Sequence, residues 1–357
     1  MSNKLSTDSY KGVRDFYPED QFVQNYIFGV WKKTAESFGY VEYGASILEP
    51  SEIYKEKSGE EIVNEQTFTF IDRGEREVTL RPEMTPTVAR MVAAHKRELG
   101  FPLRWYSVPN LFRYEAPQRG RLREHWQLNV DIFGSGALEA DVEIINIAYR
   151  IMCNFGAKDS DFEIRLNSHS NNDDLNKVVS ALRGLGINNT KIDETLARGQ
   201  AYYTGVVFEF FDTDPANPRS ILGGGRYDNL IDLFSSDNVP AVGFGAGDVT
   251  IKDFLITHNL LPSFNSTTSL YIALLSTDFI QYAGEMADTL RQNGVNVEID
   301  FSGRKVGDQI KTADKHKIPF LIVIGDEEIN SNTFKLKDLR TGEEKQVTAN
   351  EIPTCVK

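Results

Sequence analysis

The chain of 357 residues carries 39 basic and 52 acidic side chains, a formal net charge of −13. With 40% hydrophobic and 25% charged residues it has the composition of a globular protein long enough for two domains. Two cysteines, Cys153 and Cys355, exclude a disulfide scaffold or a thiolate zinc centre, and the acidity argues against non-specific nucleic-acid binding while leaving room for a local basic patch.

The opening MSNKLSTDSYKGVRDFYPED has no apolar core of a signal peptide, and no later run approaches a membrane span. The expectation is a cytosolic protein with no membrane partner. Residues 21–38 place Phe22, Tyr26, Val30 and Trp31 at helical spacing, ended by Gly39. VEYGASILEPSEIY reads as a strand closed by Pro50, and EQTFTFIDRGEREVTLRPE as a hairpin around RGE. TPTVARMVAAHKREL (85–99) is a helix opened by a Thr cap.

RWYSVPNLFRYEA and HWQLNVDIFGSG are strands around the polar loop PQRGRLRE, and EADVEIINIAYRIMCNFG is an amphipathic helix with a terminal glycine. DFEIRLNS is a strand, DDLNKVVSALRGLG a short helix, and YYTGVVFEFFDT a strand. SILGGGRYDNLIDLF reads as a strand, then a glycine turn into a helix. Antiparallel strands with helices between them predict an α+β body. A Pro/Ser/Asn/Thr-rich linker falls at about 258–268, after which strands and helices alternate as in a small α/β domain.

Several segments carry chemistry. In LFRYEAPQRGRLREHWQ, Arg113 and Glu115 stand two apart on a strand and share a face. A guanidinium there can pair with an α-phosphate and the carboxylate can accept from a base amino group; Arg121 and Arg123 can meet the far phosphates. A solvated salt-bridge ladder accounts for the same pattern equally well. Glu83 and Thr85 suit a substrate ammonium, although Thr85 also has the chemistry of a helix cap.

Arg198, ahead of Tyr202 and Tyr203, can neutralise charge that grows in a transition state, while paired tyrosines are ordinary core. The glycines of LGGGRYDNL are weak evidence of phosphate binding on their own. GFGAGDVTIKDFL offers a backbone that a nucleotide can approach closely, yet Thr250 and Ile251 follow where a cation would neutralise phosphate. The five histidines lie in unrelated contexts, no Ser/His/Asp order supports a hydrolase, and no metal site is expected.

Taken in order, KGVRDFYPED, LRPEMTPTVARMV, PLRWYSVPNLFRYEAPQRGRLREHWQLNVDIFG, ARGQAYYTG and GGGRYDNL…PAVGFGAG resemble the signatures of class II aminoacyl-tRNA synthetases, specifically the histidyl-tRNA synthetase family. VGDQIKTADKHKIPFLIVIGDEEINSNTFKLKDLRTGE resembles that family's anticodon-binding domain, and the resemblance spans about residues 10 to 347. It implies an antiparallel catalytic sheet in residues 1–262, with a reduced insertion at about 160–195, and an anticodon-binding-type domain in 268–357. It implies ATP with Mg²⁺, histidine and tRNA(His) as substrates and partners, and a homodimer built through GYVEYGASILEPSEIY.

By the same resemblance, Arg113 holds the α-phosphate, Glu115 the adenine amino group and Arg121 the γ-phosphate. Gly245 and Gly247 line the ATP site, and His125 stacks on the base. Glu83, Thr85 and Gln127 hold the amino group of histidine; Asp131, Tyr202 and Tyr203 form its side-chain pocket. Arg198 bridges carboxylate and α-phosphate, and Gln118 and Arg119 meet the tRNA acceptor end.

The chain also departs from the family pattern. Val249 and Thr250 stand where the third motif has Glu-Arg, leaving Arg121, Arg123 or Arg226 to fill the gap. His125 replaces another aromatic ring, Gln200 and Ala201 replace Leu and Asp, and Asp131 stands where Glu is common. Arg304, Lys305, Lys311, Lys315, His316 and Lys317 form a basic run that reads as a tRNA-facing patch or as a solvated helix face. Two functions fit: a histidine–tRNA ligase, or a non-catalytic histidine-binding regulator of the ATP phosphoribosyltransferase regulatory-subunit type.

Overall fold

The computed structural model describes residues 4–55, 66–170, 172–198, 202–234 and 238–356. The chain divides into two units, Met1–Pro262 and Ser263–Lys357. In the first, Pro18 opens the helix Pro18–Ser37, where its missing N–H costs nothing. Gly39, at φ +82°, lets the chain leave it.

The stretch expected as one strand is interrupted. Val41–Glu42 joins the large sheet, Leu48–Pro50 joins a small three-stranded sheet with Phe68–Ile71 and Glu77–Leu80, and Glu52–Lys55 is a helical turn. The hairpin turn is held by Asp72, whose carboxylate accepts from the backbone N–H of Gly74 and Arg76. Thr85 is not a cap: it is the first residue of the helix Thr85–His95, and Met84 precedes it without a side-chain hydrogen bond.

The large sheet runs Val41–Glu42, Leu103–Ser107, Glu124–Phe133, Ala241–Gly247, Ser220–Arg226, Val206–Asp212, Phe162–Ser168, Thr190–Ile192, with Asn110–Phe112 pairing Glu124–Trp126 at one end. From Leu103–Ser107 to Phe162–Ser168 every neighbour is antiparallel. Two expectations change here. Gly223, Gly224 and Gly225 lie inside the strand Ser220–Arg226 and not in a turn, and the helix expected after them is a single 3₁₀ turn, Ile231–Leu233. In the segment 160–195, where a reduced insertion is expected, Phe162–Ser168 pairs along its length with Val206–Asp212, and helix Asn172–Gly184 buries Leu175, Val178 and Leu182 in the same core.

Strand alternation gives the sheet two unlike faces. Leu128, Val130, Ile132, Phe208, Phe210, Leu222, Val242 and Phe244 point into the core shared with helices Pro18–Ser37 and Leu138–Asn154. The opposite face carries Gln127, Asn129, Asp131, Glu209, Gly223, Gly225, Gly243 and Gly245, in one register.

Ser263–Lys357 forms a five-stranded sheet in the order Val297–Ile299, Leu270–Leu274, Phe320–Ile324, Thr333–Asp338, Glu344–Thr348. The first three strands are parallel and the last two return antiparallel. Helices Ile280–Gln292 and Val306–Lys315 pack on it, and Leu270–Leu274 is buried throughout.

Arg226 fastens the helix Leu138–Asn154 to the sheet. It binds Asp141 at 2.5 Å and Asp228 at 3.1 Å, and donates to the carbonyls of Ser135 and Ala137. Both Arg226 and Asp141 are buried. Removing the cation strands a buried carboxylate, so Arg226→Ala is expected to lower unfolding stability by about 3–5 kcal/mol. A urea midpoint equal to that of the unsubstituted chain would refute this.

Candidate active site

The glycine-bearing face is the floor of a cleft. A Cβ on Gly245 would sit 1.9 Å from Gln127 Nε2, one on Gly243 2.1 Å from Asp131 Oδ1, and one on Gly223 1.9 Å from Arg198 Nη1. The absent side chains are what allow these three groups to lie flat across the sheet. The alternating glycines of GFGAG are therefore strand positions beneath a site, followed at Asp248 by the helix Asp248–Thr257.

The cleft has two communicating chambers. The larger, of about 340 Å³, is lined by Arg113, Glu115, Arg121, His125, Arg198, Arg219, Gly247, Val249 and Thr250, among others. The smaller, of about 30 Å³, is lined by Glu83, Thr85, Asn129, Asp131, Tyr202, Tyr203 and Tyr227. Arg113, Gln127, Arg198, Gly223 and Gly245 line both. Two guanidiniums and an amide thus stand at the junction.

Each of these groups is held by its surroundings. Arg113 does not continue a strand, because Asn110–Phe112 ends one residue earlier; its Nε donates to the Pro82 carbonyl at 2.8 Å. Glu115 likewise lies in the loop and pairs with Arg121 at 3.2 Å, so the shared strand face expected for Arg113 and Glu115 does not form. Arg198 pairs with Glu209 at 3.1 Å, while its buried Nε has no hydrogen-bond partner among the described residues. A guanidinium that lines a cleft with a donor left unpaired is suited to an anionic ligand.

In the smaller chamber, Tyr202 donates to Glu83 at 3.2 Å, and the Tyr227 hydroxyl donates to Asp131. Burial pushes the Asp131 carboxyl up to about 7, against the lowering effect of Tyr227. Burial, then Arg113 and Arg14, hold the His125 imidazole down at about 3, so it is neutral at pH 7 and presents an uncharged ring to the larger chamber. Asp248 supports this wall: it accepts from the Trp126 backbone N–H at 2.9 Å and pairs with Arg14 at 2.7 Å.

Two arginines offered as replacements at the third motif are committed elsewhere. Arg123 stacks 3.9 Å from the Tyr114 ring centroid and donates to Tyr10, and Arg226 is locked by Asp141 and Asp228. Thr250 uses its hydroxyl to donate to the Ile221 carbonyl at 2.8 Å. Gln118 and Arg119 are exposed beside an adjoining cavity of about 400 Å³. Gln200 and Ala201 lie outside the described residues.

Among the lining residues that escaped the sequence reading are Asn129, Glu209, Arg219 and Tyr227. Alternation with Gln127 and Asp131 signals Asn129. Glu209, Arg219 and Tyr227 reach the cleft only through strand pairing and loop packing.

In the basic run around the helix Val306–Lys315, Arg304 pairs with Asp300, Lys311 with Asp308 and His316 with Glu298. Lys305, Lys315 and Lys317 are exposed. Among the described residues no three His, Cys, Asp or Glu side chains gather as a metal site, and no helix is long and apolar enough to cross a membrane.

Comparison with known proteins converges on one family. The family model for histidyl-tRNA synthetase matches residues 12–168 and 163–249, and that for the anticodon binding domain matches 269–357. The chain is 40% identical to the histidine–tRNA ligase of Leptospira biflexa, over 94% of each protein. It is 33% identical to that of Thermoplasma volcanium, over 98% of each.

The apo histidyl-tRNA synthetase of S. aureus matches with a TM-score of 0.87 at 27% identity, covering 99% of this chain and 100% of that one. An ATP phosphoribosyltransferase regulatory subunit/histidyl-tRNA synthetase from Bacillus halodurans shares the fold, with a TM-score of 0.71 at 21% identity over 87% and 97% of the two chains. With both domain models matched in order and near-complete coverage of its relatives, the chain belongs to the histidyl-tRNA synthetase family.

Proposed function

We propose that the chain is a histidine–tRNA ligase that activates histidine with Mg²⁺–ATP and passes the acyl group to tRNA(His). The observation that carries this is the junction: Arg113, Gln127 and Arg198 face both chambers. A carboxylate entering from the smaller chamber and a phosphate from the larger one meet between two cations.

In the first step a histidine carboxylate oxygen attacks the α-phosphorus. One P–O bond forms as the bond to pyrophosphate breaks, giving histidyl-adenylate. The attacking oxygen is already an anion, so the step needs alignment and neutralised charge and no protein nucleophile. Arg113 holds the α-phosphate, Glu115 the adenine amino group and Arg121 the far phosphates, with the His125 ring against the base and Gly245 and Gly247 beneath. Arg198 bridges carboxylate and phosphate, its Nε having no hydrogen-bond partner among the described residues.

Glu83, Thr85 and Gln127 take the substrate ammonium. Asp131, with Tyr202 and Tyr203 around it, takes an imidazole N–H. Gln118 and Arg119 meet the tRNA acceptor end, and Lys305, Lys315 and Lys317 face tRNA from the C-terminal unit. A homodimer is supported by the apolar groups left exposed at Val41, Ile47, Leu48, Phe70 and Ile71. Localisation in the cytoplasm accords with this role.

Histidine-dependent ATP–pyrophosphate exchange tests the reading. Exchange is expected, and Arg198→Ala should slow it by about 10²–10³-fold, as loss of a transition-state charge contact does. Histidine binding without any exchange would overturn the ligase and favour the regulator, the reading that the missing third-motif cation supports.

Asp131→Asn gives a second test. Its folded pKa lies above the unfolded value, so the native state holds the proton longer and stability falls as pH rises from about 4 to about 7. The asparagine variant lacks that loss. It should gain stability relative to the unsubstituted chain across this window, by roughly a few kcal/mol at pH 7.5, while its KM for histidine rises and its KM for ATP does not. Parallel urea titrations at pH 5 and 7.5 with an unchanged difference would contradict the assignment.

A further inference from the structure

Arg219 stands at the mouth of the larger chamber, one residue ahead of the strand Ser220–Arg226, and lines both that chamber and the adjoining cavity beside Gln118 and Arg119. Among the described residues it makes no hydrogen bond and no ion pair. The other cleft arginines are committed: Arg121 to Glu115, Arg198 to Glu209, Arg113 to the Pro82 carbonyl. Arg219 and Thr250 also converge on one point. A Cβ on Gly120 would lie 2.9 Å from Arg219 Cδ and 3.6 Å from Thr250 Cγ2.

We infer that Arg219 is a phosphate-binding residue of this cleft, supplying beside Thr250 the cationic contact to the β- and γ-phosphates of ATP that the threonine cannot make. The inference rests on the adenylation reading above. Two features support it. Burial, and then the charge of Arg121, hold the Arg219 guanidinium below its ordinary pKa, with Glu115 opposing them, so an anion placed between the two arginines relieves their mutual repulsion. Thr250 in turn ties the helix Asp248–Thr257 to the carbonyl of Ile221, two residues beyond Arg219, which fixes the strand end that presents the arginine. A solvated surface arginine would not be half-buried against a second cation.

The test compares Arg219→Gln, Arg219→Lys and the double variant Arg219→Gln/Thr250→Arg in pyrophosphate exchange, with melting temperatures checked for each. Arg219→Gln should raise the KM for ATP on the order of ten- to a hundredfold, the loss of one charge-assisted contact, with the KM for histidine unchanged. Arg219→Lys should fall between, and Thr250→Arg should restore the KM in the double variant.

An Arg219→Gln protein with an unaltered KM for ATP overturns the inference. So does a defect confined to transfer onto tRNA, which would place Arg219 on the nucleic acid. Should the unsubstituted chain show no exchange at all, the ligase reading fails on its own. Calorimetric titration of Mg²⁺–ATP into the unsubstituted chain and Arg219→Gln then decides the inference: weaker binding by the variant upholds it, and equal affinity or no binding by either refutes it.

Discussion

The cleft exists because of a steric constraint: three floor glycines leave no room for a Cβ beneath Gln127, Asp131 and Arg198. Glycine weakens a strand, since it costs backbone entropy and packs nothing. The sheet tolerates this because its opposite face carries Val130, Phe208, Leu222, Val242 and Phe244 in a continuous core. Stability and chemistry are thus assigned to different faces of the same strands. Adding one methyl group on the floor would displace a functional side chain, and at Gly223 and Gly243 it would also press on the backbone carbonyls of Phe208 and Val130, each 2.7 Å away.

Charge is organised by the same economy of space. Arg226 and Arg123 are spent on structure, one joining helix to sheet and the other seated over Tyr114. The remaining arginines surround one cavity with few acidic partners: Glu209 accompanies Arg198 and Glu115 accompanies Arg121. Such a cleft is arranged for a polyanion before one arrives, so little reorganisation accompanies binding. The neutral His125 fits this pattern, because a charged imidazole there would add a further cation to the wall of the larger chamber.

Much of this was legible in the order of the motifs, and the α+β class followed from hairpin punctuation and helical stripes. The family resemblance located the cleft residues better than local geometry did. Arg113 and Glu115 read as a strand pair, yet the strand stops at Phe112, and the backbone N–H of Tyr114 bonds to Gln66 across the chain. Three successive glycines read as a turn because glycine is the usual turn residue; only pairing with Val206–Asp212 and Ala241–Gly247 reveals them as strand. Thr85 has a cap's chemistry but lies within the helix, facing the smaller chamber. Asn129 was readable by alternation, whereas Arg219 depends on the approach of Gly120 and Thr250 from two other segments.

That approach bears on how a family pattern can change without the site collapsing. Gly120 has φ +75°, and the space above it is already shared by the Arg219 stem and the Thr250 methyl. A guanidinium reaching in from position 250 would compete with Arg219 for that space and add a like charge in a region of reduced dielectric. One long cation fits there, whichever strand or helix it comes from. A threonine at 250 with an arginine at 219 therefore keeps the charge facing the cleft while moving its stem from the helix to the end of a strand. The threonine adds something an arginine would not: a short hydrogen bond that closes the joint between the helix and the strand on which the cation sits.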